Sequence, residues 1–171
     1  MTKDAWMRFS DEGYRHHEVI KSSFKYKMMD LQAAIGIQQP KRIEAYGEEG
    51  QRIWQEYNRR FAELPCILPP DPQPQTRHAY RLYTQLINIK KVGGSRNWVL
   101  TALTSENIGV GAHDTPLHLH PFYRKTFDLQ KGQIPNAEWI GERILSLPLS
   151  AVLNSRCVDD VCQSFCKIIT A

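Results

Sequence analysis

The chain has 171 residues, a mass of 19.8 kDa, a formal net charge of +4 and a pI near 8.9. Hydrophobic residues make up 42% and charged residues 23%; this globular composition excludes wholesale disorder, and at roughly 100–200 residues per domain the length is that of one domain, with room for an arm. No stretch approaches the ~20 apolar residues of a membrane span, the first ten residues lack the apolar run of a signal peptide, and the charge is spread thinly, so the sequence predicts a cytoplasmic protein with neither membrane nor nucleic acid as a partner.

Residues 1–27 are polar and mixed in charge, with an aromatic or histidine every few positions, and read as an arm without a core of its own. From residue 28 the pattern turns helical. Leu31, Ala34, Ile35 and Gln38 share one face, and a second stripe follows through Ile43, Tyr46, Gly50, Ile53/Trp54, Tyr57, Phe61 and Leu64. These steps of three and four predict a long amphipathic helix over 28–64. Pro40 should kink it, since proline lacks the N–H and clashes with the preceding turn. A proline-rich loop, Leu68–Pro74, leads to an alternating segment, His78–Asn88, rich in strand formers and with Ala79, Leu82 or Tyr83, and Leu86 apolar. Ser95 is a good N-cap for a helix over 96–106 with the stripe Trp98/Val99, Ala102/Leu103. Ile108–His113 reads as a short strand, 113–135 as a His- and Pro-rich loop, 136–145 as a helix presenting Ala137, Ile140 and Ile144, and 147–149 as a strand-like stretch. Asn154 or Ser155 caps a last helix whose inward residues are Val158, Val161/Cys162, Phe165 and Ile168/Ile169. The order predicts an α+β domain over 65–171, a small, mostly antiparallel sheet with helices packed on one face, preceded by the kinked helix.

Two clusters carry possible chemistry. His113, His118 and His120 fall within eight residues of one loop. Histidine is the commonest zinc ligand, so a metal site is one reading. In the other readings Pro116 and Pro121 force an extended path that sets His118 and His120 on one side, facing a polar substrate or water. The second cluster is Lys21, Lys25 and Lys27 around Ser22, Ser23 and Phe24. A lysine there could act as a Schiff-base nucleophile if burial lowered its pKa, but three lysines in seven residues are most simply a solvated group, since burying all of them is prohibitive. Cys66, Cys157, Cys162 and Cys166 lack the spacing of a zinc or redox motif and read as reduced structural thiols. No Gly-rich phosphate loop or nucleophile elbow appears.

One phrase is more specific. Phe24–Gly36, FKYKMMDLQAAIG, resembles the G-F-K-Y-N-M-T-D-x-Q-A-A-x-G signature of the pyridoxal-phosphate-dependent sugar-nucleotide aminotransferases, the DegT/StrS group of fold type I. The likeness continues through HAYRLY at 78–83 (family H-x-Y-H-L-Y), NIGVGAHDTPLHLH at 107–120, P-x-Y-R at Pro121–Arg124 and ERILSLPL at 142–149. It covers nearly the whole chain, in order. The resemblance implies that the chain corresponds to the small C-terminal domain and its connecting helix. The cofactor's phosphate cup, the aspartate at the pyridine nitrogen and the Schiff-base lysine would then lie upstream, so no catalytic residue is expected here and the chain should be inactive, and free of pyridoxal phosphate, by itself. Lys27 stands where the family has the asparagine that reaches the cofactor phosphate of the neighbouring subunit, Met29 replaces its threonine, Pro40 a common leucine and Asp114 a tyrosine. His113, His118 and His120 fall on the family's sugar-facing loop and are the expected substrate contacts. The assembled reaction would move an amino group from an amino acid to a keto-sugar nucleotide, with a second copy of the chain or a separate large-domain chain as partner. The alternative function is a non-catalytic binding or dimerisation module derived from that family.

Overall fold

The computed structural model describes residues 9–10, 13–14, 24, 28–113 and 115–171. The chain divides into two compact units, Met1–Lys41 and Arg42–Ala171. In the first, β1 (Phe9–Ser10) and β2 (Gly13–Tyr14) pair antiparallel, with Phe9 opposite Tyr14 and Ser10 opposite Gly13. The sequence pattern gave no hint of this pairing, because two-residue strands are too short to show alternation. Helix α1 (Asp30–Gln38) starts where the Met29 N–H donates to Gln32 Oε1 at 3.0 Å. None of its residues is buried.

The single helix expected over 28–64 is two helices. Pro40 opens a 3-10 turn, Pro40–Arg42, and α2 (Ile43–Phe61) begins after it. The prolyl nitrogen has no hydrogen to donate, so the α-helical ladder stops before it. In α2 the stripe buries Gly50, Ile53, Trp54, Tyr57 and Phe61, while Ile43 and Tyr46 stay exposed.

The second unit joins α2 to a four-stranded antiparallel sheet of order β3-β4-β6-β5, made of β3 (Cys66–Ile67), β4 (Tyr83–Ile87), β5 (Gly111–Ala112) and β6 (Ile144–Leu147). Tyr83 lies opposite Leu147 and Gln85 opposite Leu145. Side chains alternate along a strand, so Tyr83, Gln85 and Ile87 share one face with Leu145 and Leu147, and all five are buried. Of the apolar residues in the alternating segment, Tyr83 faces the core and Leu86 sits on the other face. The strand is also shorter than the alternating segment, because Tyr80 has φ +44°, a left-handed conformation that no extended strand can contain.

Between the strands run α3 (Ile89–Val92) and α4 (Arg96–Ser105), then α5 (Pro121–Phe127) and α6 (Pro135–Gly141), with α7 (Ser155–Ile169) last. Ser95 accepts the Trp98 N–H at 3.1 Å and Asn154 the Cys157 N–H at 2.9 Å, so both expected N-caps form. The helix expected over 136–145 ends at Gly141, and Ile144 belongs to β6. The long loop expected over 113–135 contains α5 and a 3-10 turn, Leu117–Leu119.

The core is aromatic at its centre. Tyr57 and Phe61 meet the Tyr83 ring at 4.9 and 6.3 Å, and Phe61 meets Phe165 of α7 at 4.7 Å. Val99 and Leu103 of α4 and Val158 and Val161 of α7 complete it. Each such side chain contributes ~1.5–3 kcal/mol on burial. The phenol tips are satisfied: Tyr57 donates to Pro148 O at 2.9 Å and Tyr83 to Asn58 Oδ1 at 2.8 Å. Gly50 lets α2 lie close to the segment before β4, since a Cβ there would sit 3.1 Å from Tyr80 O.

Candidate functional site

The histidine loop runs from the end of β5 to the start of α5. Pro116 and His120 are themselves extended, but the three residues between them turn. Leu119 N–H donates to Pro116 O at 2.8 Å and His120 N–H to Leu117 O at 3.1 Å, which closes the 3-10 turn. Such a turn advances about 120° per residue. His118 and His120, two residues apart, therefore point about 120° apart instead of sharing a side, which corrects the extended path.

The three histidines have separate surroundings. His118 is buried and its Nε2 lies 2.9 Å from Glu138 Oε1, on α6. The same oxygen accepts the Gly132 N–H at 2.6 Å. Gly132 has φ +95°, a conformation that glycine adopts without a Cβ clash. The His118 bond first, then the Gly132 N–H, hold the Glu138 carboxyl below its usual range. This trio fastens the loop to α6. His120 Nε2 lies 2.9 Å from Thr115 O and ties the loop across its own turn. His113 is half-buried, and its Nε2 is a buried atom without a hydrogen-bond partner. Of the three, it alone offers a desolvated, unused ring nitrogen.

Beside the loop lies a cavity of about 420 Å³. Thr115, Pro116 and Leu119 line it with Arg96 and Asn97 from the start of α4 and with Lys131. Arg96 donates through Nη1 to Ile144 O at 3.1 Å, while its Nε is buried and unpartnered. Glu138 and Glu142 also face this space. Guanidinium, amide, hydroxyl and carboxylate groups around one cavity suit a ligand dense in hydroxyl groups. The sequence pattern did not flag Glu138 or Arg96: a lone acid on an amphipathic helix ordinarily faces water, and an arginine after an N-cap carries no motif.

Among the described residues no group of three or more His, Cys, Asp or Glu could hold a metal ion. Cys66, Cys157, Cys162 and Cys166 are free thiols. Burial pushes Cys66 up to about 11 and Cys162 up to about 12, so both stay protonated and unreactive near neutrality. Lys21, Lys25, Lys27 and Asp114 lie outside the described residues. All six described lysines, Lys41, Lys90, Lys91, Lys125, Lys131 and Lys167, are exposed. A Schiff-base lysine needs desolvation or a neighbouring cation to free its amine. The described residues therefore do not fit a covalently held pyridoxal phosphate.

Comparison with known proteins places this geometry. The profile of the DegT/DnrJ/EryC1/StrS aminotransferase family matches residues 2–166. The chain belongs to this family. An uncharacterized Methanocaldococcus jannaschii relative is 41% identical over 170 residues, 99% of this chain and 44% of its own length. The Bacillus subtilis spore coat polysaccharide biosynthesis protein SpsC is 37% identical over the same share of both chains. The chain thus spans less than half the length of these relatives. Among solved structures, a Streptococcus pneumoniae protein described as a sugar aminotransferase, in its PMP form, superposes with a TM-score of 0.80 at 23% identity, over 98% of this chain and 39% of that one. Helicobacter pylori PseC, an aminotransferase involved in the biosynthesis of pseudoaminic acid, gives 0.73 at 21% identity, over 95% and 44%. At this identity the likeness is one of fold.

Proposed function

We propose that this chain is the small C-terminal part of a pyridoxal-phosphate-dependent aminotransferase that moves an amino group from an amino acid, such as glutamate, to a keto-sugar nucleotide in the cytoplasm. The observation that carries the reading is the family match over residues 2–166, together with a fold shared with aminotransferases. Two similar proteins work on sugars by name, one in spore coat polysaccharide and one in pseudoaminic acid biosynthesis. The exposed lysines argue that the amine joining the cofactor comes from residues beyond those described, on a large domain that this chain meets as a partner. The histidine loop is then this chain's contribution to the sugar. His113 keeps an unpartnered ring nitrogen for a hydroxyl, which has to be uncovered in the assembled enzyme because it is buried in this chain, while His118 holds the loop in place through Glu138 and His120 rigidifies the turn. Lys27, at the family's asparagine position, would meet the cofactor phosphate as a point charge.

A mixing experiment tests this. The chain is incubated with stoichiometric pyridoxal phosphate, reduced with borohydride and weighed by mass spectrometry, alone and with a complementary large-domain chain. The expected result is no stoichiometric adduct on this chain, and amino transfer only in the mixture. A stoichiometric adduct on this chain alone overturns the reading. A second reading, a non-catalytic binding or dimerisation module, is favoured by the fully unburied α1 and predicts a stable homodimer indifferent to sugar nucleotides.

A further inference from the structure

Helix α5 (Pro121–Phe127), which follows the histidine loop, exposes aromatic rings to solvent. Phe122 is 68% and Phe127 60% exposed. Tyr123, half-buried, sits between them, its ring 5.3 Å from that of Phe122 and 6.2 Å from that of Phe127. At about 100° per residue the three rings span an arc of about 140°, and Lys125 and Arg124 border it on either side, each about 60° beyond its edge. The helix is thus amphipathic, yet both edges of its apolar arc meet water. A surface helix ordinarily turns that arc toward the core, so two phenylalanines left outside mark a contact surface.

The charge beside these rings is unbalanced. Asp128, at φ +51°, ends α5 in the left-handed conformation, and the chain turns back with the Leu129 N–H donating to Arg124 O at 3.3 Å. The turn brings Lys131 to the same open hollow as Arg124 and Lys125, about 650 Å³ in volume, with Asp128 and Gln130 also in its wall. Residues 121–131 hold three cations and one acid, or +2, which is half of the chain's net charge of +4. Arg124, Lys125 and Lys131 are all exposed, and none has a carboxylate partner among the described residues. The thin spread of charge that argued against a membrane partner is an average over the chain, and the fold concentrates it here.

We propose that α5 docks on an anionic lipid bilayer, with Phe122 and Phe127 at the boundary between headgroups and acyl chains and lipid phosphates held in the hollow of Arg124, Lys125 and Lys131. Amphipathic helices with aromatic and basic residues seat themselves in this way, and long cationic side chains reach the headgroups while their stems lie along the apolar boundary. Each lysine or arginine near an anionic surface strengthens binding about fivefold. Charge complementarity selects the bilayer over a protein surface. The cations stand on both sides of the rings, and a plane of negative headgroups meets both sides at once, whereas a protein groove that buried the arc would need a carboxylate placed on each rim. Among the described residues no helix is long and apolar enough to cross a membrane, so the contact is peripheral. Such docking does not depend on the aminotransferase reading.

Cosedimentation of the full 171-residue chain with lipid vesicles tests this. Vesicles of phosphatidylglycerol mixed with phosphatidylcholine should carry it down, and vesicles of phosphatidylcholine alone should bind it at least about tenfold more weakly. Phe122→Ser should weaken binding about tenfold or more, and Arg124→Gln combined with Lys125→Gln about twentyfold. The replaced residues are exposed, so the melting curves should not change. Leu31→Ser combined with Ile35→Ser, on the other exposed apolar face, should leave vesicle binding as it is. Inorganic phosphate should displace the chain no better than sodium chloride of equal ionic strength. Soluble polyglutamate, which has the charge without the apolar boundary, should bind more weakly than the vesicles and be indifferent to Phe122→Ser. The bilayer is excluded as the occupant if anionic vesicles do not bind the chain, if neutral vesicles bind it as well, if neither α5 variant weakens binding, or if the α1 variant abolishes it. Displacement by phosphate at matched ionic strength would make the hollow a site for the free anion, and tight polyglutamate binding that needs Phe122 would make α5 a surface for an acidic protein segment; either result overturns the membrane assignment.

Discussion

Gln85 brings a primary amide into the centre of the sheet's inner face, between Tyr83 and Ile87 and opposite Leu145, at 1% exposure. Neither its Nε2 nor its Oε1 has a hydrogen-bond partner. A buried, unsatisfied polar group costs about 1–3 kcal/mol, and replacing it with an apolar group of like shape recovers that cost. Gln85→Met, unbranched and of similar length, should raise the melting temperature by ~2–4 °C for each kcal/mol recovered; Gln85→Glu should lower it sharply. A drop in thermal stability for Gln85→Met, seen by circular dichroism, would show that the amide is satisfied in solution. The same residue explains why the phase of β4 was hard to read. An inward glutamine makes the polar–apolar alternation point the wrong way, and Leu86 takes the vacant apolar signal on the opposite face. His118 is the converse case: its place in a histidine-rich loop suggested a ligand, and only the 3-10 turn, which no local pattern announces, sends it inward to Glu138.

Helices with strong stripes and good caps were legible from sequence alone. Helices α2, α4 and α7 begin or bury their residues as the spacing requires, because periodicity and an N-cap are local properties. Short elements were legible in place and not in bounds: β5, only two residues long, lies inside the strand read over 108–113, and α6 runs almost directly into β6. What binds α2 to α7 is also non-local. Glu56 accepts from Arg59 at 2.7 Å and from Arg60 at 2.6 Å, and Arg60 reaches across to Asp159 on α7. These bonds lower the Glu56 carboxyl from 4.5 to about 2. A depressed folded-state value means that the stabilisation is present above the ordinary carboxylate range and is lost as pH falls through the folded value. Because the group is partly solvated, it is worth about 1 kcal/mol or less. Glu56→Gln should therefore melt below wild type at neutral pH, with the gap closing between pH 4.5 and about 2. A gap of constant size down to pH 2 would mean that Glu56 acts by packing and not by charge.

At the scale of the molecule, the second unit has a core of its own and α1 has none. Leu31 and Ile35, one turn apart on α1, are 70% and 55% exposed, and Ile37 is 61% exposed. An isolated helix shorter than about 12–15 residues is marginal in water, and α1 has nine. Its apolar face therefore has to be covered for the helix to persist, and exposed apolar surface of this kind marks a contact site. Sedimentation velocity of the chain alone should show a weight-average coefficient that rises with concentration. Leu31→Ser combined with Ile35→Ser should abolish the rise, while the melting of the second unit, whose core contains neither residue, stays unchanged. A complementary large-domain chain that covers the same face should compete with self-association and hold the mixture at one defined stoichiometry. Self-association that survives the double substitution would place the contact elsewhere, and a chain that stays monomeric at every concentration, with α1 helical by hydrogen exchange, would show that α1 needs no cover.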